Sequence, residues 1–148
     1  MTKNLSQTQK AYLAGFLDGD GSIYVRAKPN PTYRYGFLIA PYIVLFQSQK
    51  DKDNFSKVCA LIGLGHLRER KDGILEYIVS KKDSIDEFLQ IVKPYSILKR
   101  EQVELMSKIL KAKHKVQSKK DFAILIDLID QFRELNYSKK RKVRTLTP

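Results

Sequence analysis

Leu13 to Gly21 read LAGFLDGDG, and the fold turns on how that stretch is understood. From Thr8 onward Tyr12, Leu13, Phe16 and Leu17 recur at helical spacing with no proline between them, which predicts a helix from Thr8 to about Asp20. Gly19 and Gly21 are expected to stop it, since glycine readily takes the left-handed conformation that closes helices. On that helix Ala11, Gly15 and Gly19 lie four apart and make a smooth stripe, along which a second helix can approach backbone to backbone. Asp20 then stands at the negative end of the helix dipole, where a carboxylate needs positive charge beside it. A divalent cation would supply that charge, with a carbonyl freed by the end of the helix as a further oxygen ligand. Asp-Gly-Asp-Gly also fits an ordinary turn, and on these four residues alone that alternative stays open. A calcium-binding loop does not fit: counted from Asp18, Ile23 stands where a glycine is required and Pro29 where a bidentate Glu should be.

Downstream the period of the pattern changes. In SIYVRAK, Ile23, Val25 and Ala27 alternate with Tyr24, Arg26 and Lys28, so one face of this strand is apolar and the other basic and aromatic. Pro29, Asn30 and Pro31 break it, and a β-rich run from about Phe37 to Gln49 returns as its hairpin partner. Asp51 to Ile62 reads as a helix with Phe55, Val58, Leu61 and Ile62 inward, closed by Gly63 and Gly65. HLRER and ILEYIVS form a second hairpin, turned by Lys71, Asp72 and Gly73. A short helix from Ser84 to Val92 ends before Pro94, and longer ones follow at about Ile97 to Lys113 and Lys119 to Leu135. The order αββαββααα is that of an α+β fold. The first helix has no long internal repeat, since ILIDLID in the last helix has acids but no glycines.

With 148 residues, 43% of them hydrophobic, the chain can build one core comfortably and not two. A single domain is expected over 1–137, with a basic tail over 138–148. No apolar run approaches the roughly 18 residues of a membrane helix, and the polar start MTKNLSQTQK lacks the apolar centre of a signal peptide. An intracellular, non-secreted protein with no membrane partner is therefore expected, in a prokaryotic cytoplasm or an organelle. Cys59, the one cysteine, sits in VCALIGLG as a small buried hydrophobe, which excludes disulfides and cysteine-ligated zinc. The 28 Lys and Arg against 16 Asp and Glu leave a net charge of +12, a surface that attracts polyanions. Nucleic acid is the commonest such partner; an anionic membrane or a ribosome would answer to the same charge.

LAGFLDGDG followed by a strand resembles, position for position, the LAGLIDADG motif of homing endonucleases. Leu13, Ala14, Gly15, Leu17, Asp18, Gly19 and Asp20 fit that pattern, with Phe16 in an apolar slot. The αββαββα order is similar to that family's fold, as are QKD at Gln49 to Asp51, IGLG at Ile62 to Gly65, and KP at Lys93 and Pro94. The resemblance spans nearly the full chain and is nearest to single-motif members that act as homodimers. It implies a homing-endonuclease fold: a four-stranded antiparallel saddle with extra C-terminal helices. It also implies a sequence-specific DNA endonuclease, making a double-strand break in a long pseudo-palindromic site by Mg²⁺-dependent phosphodiester hydrolysis, with Mn²⁺ or Ca²⁺ able to substitute for binding. Two chains would pair along Ala11, Tyr12, Gly15, Phe16 and Gly19. Asp20 from each, with the Gly19 carbonyl, would hold the metal, while Asp18 is expected to cap or brace the motif. The family also has a Gln at the end of the second strand and a Lys after the Pro-ended helix. By that match these are Gln49 and Lys99, although Gln47, two residues away on the same strand face, leaves the choice of glutamine open, as Arg100 does beside Lys99.

The resemblance further implies that the saddle follows the major groove. Tyr24, Arg26 and Lys28 would face it from strand one and Tyr42, Val44 and Phe46 from strand two, an apolar set suited to thymine methyls. Arg68 and Arg70 on strand three, with Glu76 and Ile78 opposite, could grip guanine and accept from cytosine. Asn30, Thr32, Tyr33 and Arg34 would extend the hairpin tip toward outer base pairs. Ser138, Lys139, Lys140, Arg141 and Lys142 in the tail would meet backbone phosphates, a better use of KKRK than a nuclear-localisation signal. Two other readings share the basic charge: an RNA maturase or non-cutting binder of the same fold, with a host intron RNA as partner, and a ribosome-associated α+β domain whose Asp-Gly turn is accidental.

Overall fold

The computed structural model describes residues 4–136. The chain runs α1 (Gln7–Asp20), β1 (Gly21–Pro29), β2 (Phe37–Ser48), a single 3₁₀ turn (Gln49–Asp51), α2 (Lys52–Ile62), β3 (His66–Glu69), β4 (Ile74–Val79), α3 (Lys82–Val92), α4 (Arg100–His114) and α5 (Lys119–Leu135). This is the expected α+β order. The four strands form one antiparallel sheet in the order β1-β2-β4-β3, two hairpins side by side with β2 and β4 in the middle.

Period-two alternation divides the sheet into two faces. Ile23, Ile43, Leu45, Leu75, Tyr77 and Val79 join the core with Leu13, Leu17, Phe55, Phe88, Met106, Ile109 and Leu125 from the helices. Tyr24, Tyr42, Phe46, Glu76 and Ile78 alternate with them and point to the opposite face. Cys59 is buried as expected, and burial pushes its thiol up to about 11, so it is inert at neutral pH. Buried Tyr77 pins the loop after α2: its hydroxyl accepts from Leu64 N–H at 2.9 Å and Gly65 N–H at 2.7 Å. Among the described residues no helix is long and apolar enough to cross a membrane.

Several boundaries differ from expectation. Helix α1 starts before Thr8 because Ser6 and Gln9 form a capping box: Ser6 Oγ accepts from Gln9 N–H at 3.1 Å and Gln9 Oε1 accepts from Ser6 N–H at 3.0 Å. Its end is a correction. Neither Gly19 nor Gly21 is left-handed; Gly19 stays helical and Gly21 is already extended, at φ −120° and ψ 171°. A Cβ on Gly21 would lie 2.7 Å from Leu17 Cδ1 and 2.8 Å from the Leu17 carbonyl oxygen, so what glycine supplies here is room. Strand β2 stops at Ser48, whose Oγ accepts from Lys50 N–H and opens the 3₁₀ turn, which takes Gln49 off the strand. Helix α3 begins at Lys82 instead of Ser84, and α4 begins at Arg100 instead of Ile97, residues 97–99 forming a loop whose N–H groups bond Asp18.

Gly21→Ala is expected to destabilise the protein by about 1–3 kcal/mol, because the new methyl meets backbone and must push β1 away from α1. Urea unfolding checks this through a lower midpoint at unchanged slope.

Candidate active site and nucleic-acid interface

The end of α1 is where the chain concentrates polar chemistry. The Asp18 carboxylate accepts four hydrogen bonds from the α3–α4 loop: the Ser96 hydroxyl on Oδ1, Ile97 N–H at 2.8 Å and Leu98 N–H at 2.9 Å on Oδ2, and Lys99 N–H at 3.2 Å on Oδ1. Lys99 answers in the other direction, its Nζ donating to the Asp18 carbonyl at 2.8 Å. Its ammonium therefore sits at the negative end of the α1 dipole, which has no basic residue of its own in the last turn. Partial burial pushes the Asp18 pKa up. The Ser96 hydroxyl and the three N–H groups outweigh it and hold the carboxyl below its ordinary value. Asp18 braces the motif, as expected of it.

Asp20, the last residue of α1, is exposed, and its carboxylate makes no hydrogen bond or ion pair within the described residues. It continues the row Tyr12, Phe16 along the helix, beside the stripe Ala11, Gly15, Gly19. That surface is open: Ala11, Gly15 and Gly19 are exposed, nothing lies within 4 Å of a Cβ placed on either glycine, and Tyr12 is 55% exposed. Phe16 alone of the five expected interface residues is half-buried, stacked on Phe55 with ring centroids 5.7 Å apart. Among the described residues no three His, Cys, Asp or Glu side chains come together. A cation at Asp20 would thus need the Gly19 carbonyl and oxygens from outside one chain, a donor set that suits hard, oxygen-seeking ions.

The two glutamines separate. Gly21, at the start of β1, pairs with Leu45, so Gln47 projects past the start of β1 toward the end of α1. Its Oε1 accepts from Ser48 N–H at 2.8 Å. Gln49 has turned off the strand, and the expectation that both share a strand face is corrected. Its Nε2 donates to Glu69 Oε1 at 3.0 Å while Lys52 holds the other Glu69 oxygen at 2.7 Å, which draws Gln49 toward β3 at the opposite sheet edge. The fold ties Lys99 to the motif at Asp18 and ties Gln49 to Glu69 instead. Arg100 is exposed as the first residue of α4.

The open sheet face carries most of the expected readers. Tyr24 and Tyr42 are register partners with rings stacked at 5.2 Å, and the Arg26 guanidinium lies 5.9 Å from the Tyr24 ring centre. Lys28 is exposed farther out, opposite Leu38. Phe46 pairs with Glu76, which binds Arg68 at 3.3 Å and Arg70 at 3.7 Å. Two expectations change here. Val44 is on this face but only 2% exposed, filled in between Ser22 and Ile78 on the neighbouring strands, so it offers no free methyl. Arg70 lies beyond β3, in the turn with its partner Asp72, and the residue opposite Ile78 is His66. At the hairpin tip the Asn30 Oδ1 accepts from Thr32 N–H at 3.0 Å and Thr32 Oγ1 at 2.6 Å, so these two side chains build the turn. Tyr33 and Arg34 remain exposed. Ser138, Lys139, Lys140, Arg141 and Lys142 lie outside the described residues.

Known proteins share both the sequence and this arrangement. Residues 13–112 match the family model described as LAGLIDADG endonuclease. The chain belongs to the LAGLIDADG endonuclease family. The expected family, fold and enzyme class are thereby met. DNA endonuclease I-CreI of Chlamydomonas reinhardtii is 33% identical over 137 residues, covering 92% of this chain and 83% of that one. The crystal structure of I-CvuI, the Chlorella vulgaris DNA endonuclease, bound to the I-CreI target with Mg, has a TM-score of 0.83 at 27% identity, covering 88% of this chain and 83% of that one. I-CvuI has also been solved on its own target with Ca, so relatives of this LAGLIDADG chain take up DNA in the presence of divalent cations. I-TnaI, with a TM-score of 0.77 at 21% identity and 97% coverage of both chains, shares the fold.

Sequence reasoning missed the part played by Ser96, Ile97 and Leu98. Ser96 carries no local signal of this role, because its partner Asp18 is 78 positions away, beyond any local pattern. Asp18→Asn leaves one acceptor oxygen and aims an NH₂ at N–H donors, which should cost about 2–4 kcal/mol at neutral pH. Because the folded-state pKa is depressed, this stabilisation is present above the unfolded value of about 4 and is lost as pH falls through the folded pKa. Thermal midpoints measured from pH 7 down to about pH 2 should show the gap between wild type and Asp18→Asn narrowing only below about pH 4.

Proposed function

We propose that two copies of this LAGLIDADG endonuclease pair along Ala11, Gly15 and Gly19 of α1, lay their open sheet faces in the major groove, and hydrolyse one phosphodiester in each strand of a long near-palindromic DNA site. The observation that carries this reading is the exposed, unpartnered Asp20 at the edge of an uncovered small-residue stripe. Self-pairing along α1 would bring the two Asp20 carboxylates to one two-fold axis.

Asp20 and the Gly19 carbonyl would hold Mg²⁺, which when bound polarises a phosphate and makes hydroxide available at neutral pH. The chain's own residues do the remaining work. Lys99, already anchored on the α1 end, places an ammonium where negative charge develops on a scissile phosphate. Gln47, on the side of β2 that meets α1, is the glutamine placed to orient the attacking water; Gln49 is held by Glu69. Tyr24, Arg26, Lys28, Tyr42 and Phe46 reach base edges or phosphates from the sheet, and Arg68 and Arg70 must loosen from Glu76 to do so. The basic residues of 138–148 add phosphate contacts, and the net charge of +12 gives binding a steep dependence on salt.

Asp20→Asn is expected to lower the single-turnover cutting rate in saturating Mg²⁺ by at least about 100-fold while target binding, measured in Ca²⁺, changes little. Undiminished cutting would end this assignment of Asp20. Gly15→Leu should give a folded chain that sediments at the mass of one copy. A dimer of that variant by analytical ultracentrifugation would move the interface elsewhere.

A further inference from the structure

The outer half of the first hairpin lacks a third strand. β2 pairs with β4 only from Ile43 to Ser48, so β1 beyond Ile23 and β2 from Phe37 to Tyr42 form a two-stranded ribbon. Such a ribbon is marginal in water and twists freely unless something packs on it. Here α5 does. The Tyr35 ring stacks on Phe122 at 5.0 Å and the Phe37 ring lies 6.2 Å from it, so one side chain near the start of α5 receives two rings from the tip. At the far end of α5, Asn136 Nδ2 donates to the Ile23 carbonyl at 3.2 Å. The helix between them, about 21 Å long at 1.5 Å per residue, runs beside β1 from sheet to tip. An open pocket of about 200 Å³ adjoins the aromatic contact, its lining including Tyr35, Phe37, Lys113, Val116, Phe122 and Leu125. Among the described residues the Tyr35 hydroxyl has no hydrogen-bond partner, so its ring makes the attachment. Arg34 rides on the same ring, its guanidinium 5.2 Å from the centre.

We infer that Phe122 is a positioning residue for DNA reading: through Tyr35 and Phe37 it sets the inclination of the hairpin tip, and with it discrimination at the outer base pairs of the site. The inference rests on the reading above that the open sheet face lies on DNA. Phe122 touches no base in this account. It acts by holding Tyr33, Arg34 and Lys28 in one orientation relative to the sheet.

Two measurements on Phe122→Ala, Phe122→Tyr and Tyr35→Phe test it. The first is backbone amide exchange of the DNA-free protein. Phe122→Ala should raise exchange at residues 30–36 by at least about tenfold, as expected of a ribbon opening locally, with β4 and α1 unchanged. Phe122→Tyr and Tyr35→Phe, which keep the rings, should exchange like wild type. The second is cutting of a target library carrying single substitutions. Phe122→Ala should lose about tenfold of discrimination at the outer pairs and keep that at the central pairs, with Phe122→Tyr restoring it. Unchanged exchange at 30–36 in folded Phe122→Ala overturns the clamp. Raised exchange with intact outer-pair discrimination, or a loss spread evenly over the site, overturns its link to reading. A wild type that cuts no member of the library counts against the function proposed above, while the exchange measurement still decides the clamp.

Discussion

The Asp18 carboxylate is the constraint on which the site depends. It takes the Ser96 hydroxyl and three successive N–H groups of the loop that leads into α4, and so fixes that loop from another helix. Hydrogen bonds to a charged acceptor stabilise by about 1.5–3 kcal/mol each where they are shielded from water. The loop they hold carries Lys99, and Lys99 returns its ammonium to the Asp18 carbonyl, so the end of α1 and the start of α4 are one unit. Asp20, two residues on, has a carboxylate with no hydrogen bond or ion pair among the described residues. Ile97 and Leu98, 79% and 75% exposed, stand out from this unit because their backbone is spent on Asp18.

The same economy of partners shapes the sheet. Its core face is closed by apolar packing, while the open face keeps charged and aromatic groups engaged with one another: Tyr24 with Tyr42, Arg26 over Tyr24, Arg68 and Arg70 with Glu76. Both arginines are solvent-exposed, at 64% and 39%, against 15% for their partner Glu76, so a DNA backbone can reach them from the open side of each pair. A face that is preorganised yet weakly self-satisfied suits a protein that exchanges one set of polar partners for another. The outer hairpin, unsupported by a third strand, borrows its rigidity from Phe122 on α5.

Much of this was legible in the residues. The period of the apolar pattern changes from helix to strand at Gly21, and the glycine and proline punctuation separates the elements, because local backbone preference and one-sided burial act over a few residues. LAGFLDGDG carried the family, and with it the exposed small-residue stripe and the acid beside it. What escaped were the places where a distant group overrides local preference. Ile97 reads as helix, and Asp18 takes its N–H. Gly21 reads as a left-handed stop, and Leu17 requires only that it lack a side chain.

The sequence by itself determined the elements, their order, the buried face of each strand and the motif that places Asp20. Tertiary structure decided what similar residues bond to: Asp18 braces the α3–α4 loop, Gln49 is tied to Glu69 while Gln47 is not, Val44 is filled in and Arg70 lies in a turn. The physical reason is range. Periodicity and capping are local and leave a trace in neighbouring residues, whereas a hydrogen bond across 78 positions or a strand register is settled only when the core closes.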